Sequence, residues 1–102
     1  MAFMEVTLIP MGTDSTSCSS YIAQALDIAR KNPKIIHQLN SMGTVLEGSL
    51  PDLYQCLQDM QEALFDNGLQ RVYTIVKIDD RRDKYQDMNQ RIHSVEVKQH
   101  DK

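Results

Sequence analysis

Glu47 is an acid set in an apolar, glycine-bracketed stretch, Met42-Gly43-Thr44-Val45-Leu46-Glu47-Gly48. A carboxylate in such a run is costly to bury unless a donor, a cation or water meets it. Its chemistry is therefore hydrogen bonding or ion pairing. Thr13, Ser17 and Thr44 add hydroxyls in and after a related triplet, Met11-Gly12-Thr13, and in its echo Met42-Gly43-Thr44. Hydroxyls of this kind bond ligands, but they also cap helices and close turns. Capping is the expected work of at least one of Thr16 and Ser17. Catalysis has no visible constellation: no nucleophile stands beside a base, no glycine loop cradles phosphate, and no acids pair within a motif. The chain reads as a non-enzyme.

Metal chemistry is equally poorly served. Cys18 and Cys56 lie far apart, and His37, His93 and His100 are scattered. Two small, partly buried thiols are the expected outcome. Asp79, Asp80 and Asp83 cluster, but Arg81, Arg82 and Lys84 between and beside them would repel a cation. That segment reads as a solvated turn with exposed ion pairs, each worth little.

A chain of 102 residues suits one domain, here 1–102. The net charge of −3 lacks the basic footprint of a nucleic-acid binder. No apolar run approaches the roughly 20 residues that span a bilayer, and the start carries no signal-peptide pattern. These features point to a cytoplasmic protein without nucleic-acid or membrane partners.

Strands and helices must position Glu47 and the hydroxyls. Met4 to Pro10 alternates, with Val6 and Leu8 on one side and Glu5, Thr7 and Ile9 on the other. The turn-and-cap run Thr13-Asp14-Ser15-Thr16-Ser17 precedes a helix with Ile22, Ala25, Leu26 and Ala29 on one stripe. Asn32-Pro33 stops it. Ile35 to Leu39 is a short strand, turned by Asn40-Ser41 into the Glu47 strand. Pro51 or Asp52 opens a second helix with Leu53, Leu57, Met60 and Leu64 on one face, ended by Asn67-Gly68. Arg71 to Asp79 is the longest strand signal. A last helix carries Tyr85, Met88, Ile92 and Val95, with a frayed tail from Lys98.

The order β-α-β-β-α-β plus one helix is the ferredoxin-like α+β pattern, with an antiparallel sheet of strand order 4-1-3-2. It should bring Met11-Gly12-Thr13 to the start of the third strand, with Ile9 opposite Val45 and Thr7 opposite Glu47. Thr7 and Glu47 then point away from the two central helices. The fourth strand is apolar on both faces, so both faces should be covered. A second copy of the chain is the expected cover, assisted by the last helix. Glu47 would then lie near a subunit interface, or pair across the sheet with Lys77, for which Glu5 competes.

Several separate motifs resemble one family. Ile9-Pro10-Met11-Gly12-Thr13 with the Ser/Thr run after it, Met42-Gly43-Thr44-Val45-Leu46-Glu47-Gly48, Arg71-Val72, and Ile78-Asp79-Asp80-Arg81-Arg82-Asp83-Lys84 together look like the small thiamine-binding protein family. The resemblance runs over nearly the whole chain. It implies a ferredoxin-like domain in a homotetramer, a dimer of dimers, or a dimer. It also implies non-catalytic binding of thiamine (vitamin B1) or its hydroxymethylpyrimidine moiety, with no resident cofactor. Thr13, Ser17, Met42, Thr44 and Glu47 are the expected ligand-binding residues. Glu47 would make a charge-assisted bond to the aminopyrimidine or meet the cationic thiazolium. Met11 or Met42 would pack on a flat ring, though core filling suits them as well. Tyr73 could stack on a cation, but an interface role is the better expectation. Asp14 already occupies the positive end of the first helix, which argues against a phosphate there. The rival expectation is an interaction module whose open sheet face serves only self-assembly.

Overall fold

Alternation decides which side of each strand is buried, and the first strand shows it most plainly. In the computed structural model, which describes residues 1–12, 19–83 and 87–100, strand β1 (Ala2–Pro10) buries Ala2, Met4, Val6, Leu8 and Pro10. Phe3, Glu5, Thr7 and Ile9 fall on its other side. The chain continues through α1 (Ser19–Lys31), β2 (Ile36–Asn40), β3 (Gly43–Gly48), α2 (Leu50–Asp66), β4 (Val72–Asp80) and α3 (Met88–His100). The strands form one antiparallel sheet in the order β2-β3-β1-β4, which is the expected ferredoxin-like arrangement read from its other edge. The turn-and-cap run 13–17, Cys18 and Tyr85 lie outside the described residues.

Helices α1 and α2 pack together on the side of the sheet that carries Met4, Val6 and Leu46. Ala25 and Ala29 of α1 and Leu53, Cys56, Met60 and Leu64 of α2 complete that core. Ile22 and Leu57 are only partly buried against it. Cys56 is a buried thiol, and burial pushes its pKa up, so it packs as a small apolar group. On β4, Thr74 faces the helices and accepts a 2.7 Å hydrogen bond from Gln61 of α2. Tyr73 and Ile75 face away and are exposed.

Local chemistry sets the ends of α2. Ser49 is the N-cap; its Oγ accepts a 3.3 Å bond from the Asp52 N–H, and Pro51 sits in the first turn. Gly68 follows Asn67 with φ of 97°, a conformation glycine adopts without steric cost. The Ser49→Ala variant should lose about 0.5–2 kcal/mol in urea unfolding; no change would remove the cap from the account.

Pairing register corrects one expectation. Glu5, not Ile9, lies opposite Val45, and Phe3, not Thr7, lies opposite Glu47. The slip is four residues, or about 13 Å along the strand. An even slip keeps every side chain on its expected face. Its consequence is that Met11-Gly12 does not meet Met42-Gly43, and Thr13 lies outside the described residues. Val6 faces Thr44, whereas the Met11 N–H donates to the Arg71 carbonyl at 3.0 Å. The β2–β3 turn is held instead by Thr7, whose hydroxyl donates to the Met42 carbonyl at 3.1 Å. Gly43 allows this approach, since a Cβ there would lie 3.0 Å from the Thr7 Oγ1 and 3.2 Å from the Val6 carbonyl.

The third helix lies across the open face. Asp87 and Gln90 form a reciprocal capping box at its start, with bonds of 2.8 and 2.9 Å. Arg91 then reaches Asp79 at 2.7 Å and sits 4.8 Å over the Phe3 ring. The helix runs through Lys98 to His100 where the sequence predicts fraying, because Lys98 and Gln99 are themselves good helix formers. Ile92, Val95 and Val97 remain exposed.

Candidate functional site

Glu47 is only 1% exposed, and its Oε1 has no hydrogen-bond partner among the described residues. Register places Phe3 of β1 on one side of it and Ile36 of β2 on the other. Burial pushes its carboxyl above the usual carboxylate range; the Asp87 carboxylate adds to the rise, and the N-terminal amine opposes it. Burial disfavours the charged form, so the acid tends toward its neutral state. Lys77 does not rescue it. That lysine lies opposite Glu5 and meets it at 3.9 Å in an exposed pair, so the rival partner takes the cation.

A cleft of about 280 Å³ opens on the same face between the sheet and α3. Phe3, Val45, Met88 and Ile92 give it apolar walls, and Gln38, Asn40 and Arg91 give it polar ones. Val45 is two residues before Glu47 and shares its face. The buried acid and the cleft are thus neighbours along one strand.

Thr44 points the other way. It is 4% exposed and faces the helices with Val6 and Leu46, as alternation requires. With Met42, Leu39, Leu26 and Met60 it lines a second cleft of about 220 Å³ on the helix side. Met42 itself is 87% exposed at the turn. The sheet therefore separates Thr44 from Glu47, and only their shared strand connects them. Thr13 and Ser17 lie outside the described residues.

The expected charged turn begins later than the sequence suggested, because Asp79 and Asp80 belong to β4. Arg81 pairs with Asp83 in solvent and Arg82 with Asp80, each at 2.7 Å. The Arg82 guanidinium holds the Asp80 carboxyl below its usual range. Among the described residues, no group of three or more His, Cys, Asp or Glu side chains is placed to hold a metal ion. No described helix is long and apolar enough to cross a membrane.

Comparison with known proteins adds the decisive observation. A family model described as thiamine-binding protein matches residues 4–96. The chain belongs to the thiamine-binding protein family. Among its relatives, the UPF0045 protein from the glkA 3′ region of Staphylococcus xylosus is 46% identical over 99 residues, spanning 94% of this chain and 92% of the relative. The UPF0045 protein YqgV of Bacillus subtilis is 44% identical over 98 residues, spanning 93% and 94%. The crystal structure of hypothetical protein MJ1052 from Methanocaldococcus jannaschii superposes with a TM-score of 0.84 at 29% identity, covering 93% of this chain and 95% of that one.

Within this thiamine-binding family frame, sequence reasoning singled out Glu47 but missed Gln38, Asn40, Phe3 and Arg91. A signal for the first two exists. Gln38 and Asn40 alternate on a short strand that a two-residue turn folds back on the Glu47 strand. That pairing puts both amides on the acid's face, whichever way the rest of the sheet is assembled.

Proposed function

We propose that this protein binds thiamine or its hydroxymethylpyrimidine moiety without catalysis, as a carrier, a sequestering protein or a sensor. The observation that carries this reading is the buried Glu47 carboxyl, whose Oε1 is unpartnered among the described residues, beside an open cleft. Buried polar atoms are nearly always bonded, and one left over is a natural place for a ligand donor. Membership of a family described as thiamine-binding supplies the ligand class. Of the other expected ligand groups, Thr44 and Met42 belong to the helix-side cleft, so the face of Glu47 is the better site.

Self-association belongs to the same proposal. Ile9, Tyr73 and Ile75 leave an exposed apolar patch on the open face. A second copy is the partner that fits it, as a dimer or a dimer of dimers. The same patch favours the alternative reading, a self-assembly module with no ligand. A cytoplasmic setting fits the buried, unbridged thiol of Cys56.

Titration calorimetry of the full chain with thiamine, its phosphates and hydroxymethylpyrimidine separates the readings. Saturable binding at micromolar concentration or tighter, about −8 kcal/mol or better, is the expected result. Absence of heat and of thermal stabilisation with every compound, in an oligomeric protein, would leave the assembly module standing.

A further inference from the structure

The side-chain amides of β2 have no assigned work. Gln38 and Asn40 sit two residues apart on the edge strand, and their register partners Val45 and Gly43 put them on the face of Glu47. Both line the cleft under α3. The Gln38 Nε2 donates to the Asn40 Oδ1 at 3.5 Å. That bond leaves the Gln38 oxygen and the Asn40 nitrogen without a partner among the described residues. Turning both amides over exchanges the roles but again leaves one donor and one acceptor. The pair thus always offers both, side by side.

We infer that Gln38 and Asn40 are specificity-determining residues of the cleft beside Glu47, which the acid itself does not line. They select a flat, uncharged nitrogen heterocycle by an edge that carries a ring-nitrogen acceptor next to an exocyclic amine. The inference rests on the thiamine reading above and names the half of the ligand that enters. A carboxylate would only accept and an ammonium would only donate, so either would leave one amide group unanswered. Phe3, Val45 and Ile92 supply apolar contact, and Met88 adds a thioether suited to a ring edge.

The test compares two probes on the full chain: the 4-aminopyrimidine ring of thiamine, and the same ring without its amine. Wild type should prefer the amino ring by about tenfold or more, the effect of one well-placed hydrogen bond. The double variant Gln38→Met, Asn40→Leu keeps side-chain bulk on an exposed edge strand. It should lose most of that preference, weakening toward the amino ring, which loses two bonds, more than toward the ring without the amine, which loses only the bond to its ring nitrogen. Retention of the wild-type preference in the variant, with thiamine still bound, would overturn the inference and leave the thiamine reading intact. Equal weakening toward both rings would also overturn it, since a merely structural role has that signature. Failure of wild type to bind either ring or thiamine would remove both proposals.

Discussion

The Glu47→Leu variant should be more stable than wild type at pH 7, by about 1–3 kcal/mol, in the absence of ligand. The reason is the unpartnered buried carboxyl. Removing a buried polar group that has no partner, and filling the space with carbon, relieves a desolvation penalty rather than breaking a bond. The sign of the pH dependence follows from the raised pKa of Glu47. Below the ordinary carboxyl value, about 4.3, the group is protonated in folded and unfolded chains alike, so it adds no pH dependence there, and only the cost of burying a neutral carboxyl remains. As pH rises from there to the raised folded value, the folded chain still holds a proton that the unfolded chain has lost. Stability therefore falls across that window and is level above it. The advantage of Glu47→Leu should be present at pH 7 and smaller at pH 4, where only the burial of a neutral carboxyl is relieved. Urea unfolding of both proteins at the two pH values isolates the effect, because every other carboxylate is common to them. A variant less stable at pH 7 would mean that the acid has a structural partner.

Leu53→Ala carries the largest expected loss. Leu53 is fully buried in the first turns of α2, and its side chain lies over Gly48, where a Cβ would come within 3.7 Å of it. Truncation removes transfer energy and leaves a cavity, together about 2–5 kcal/mol. That is a large part of the roughly 5–15 kcal/mol that holds an ordinary domain folded. Each kcal/mol should lower the melting temperature by about 4–8 °C in a chain of this size. Since Gly48 follows Glu47, the loss loosens the end of the strand that presents the acid. A denaturation midpoint close to wild type would show that the α2 contact does not set the position of β3.

The two variants touch features of very different legibility. Leu53 was readable, because it heads a stripe with Leu57, Met60 and Leu64 at helical spacing. The faces of β1 were readable from alternation, and so was the two-sided apolar character of β4. The β1–β3 register was not. No short turn links those strands, so the similarity of Met11-Gly12 and Met42-Gly43 was the only local clue, and it misled by four residues. The side of the sheet survived the error because four is even. Glu47 was recognisable as an acid out of place, but its neighbour Phe3 comes from a strand pairing that no short turn fixes. The opposition of Thr44 and Glu47 was implicit in their odd spacing, three residues on one strand. Hydroxyl chemistry drew them into one site, and strand geometry separates them.

The most direct test of the central claim is calorimetric titration of wild type and Glu47→Gln with thiamine or its pyrimidine moiety, side by side. Gln keeps the shape of Glu and removes its acid. Saturable binding by wild type and a loss of about 1–3 kcal/mol in the variant is the predicted result. Equal affinities in the two proteins would contradict it, and would move the site off Glu47.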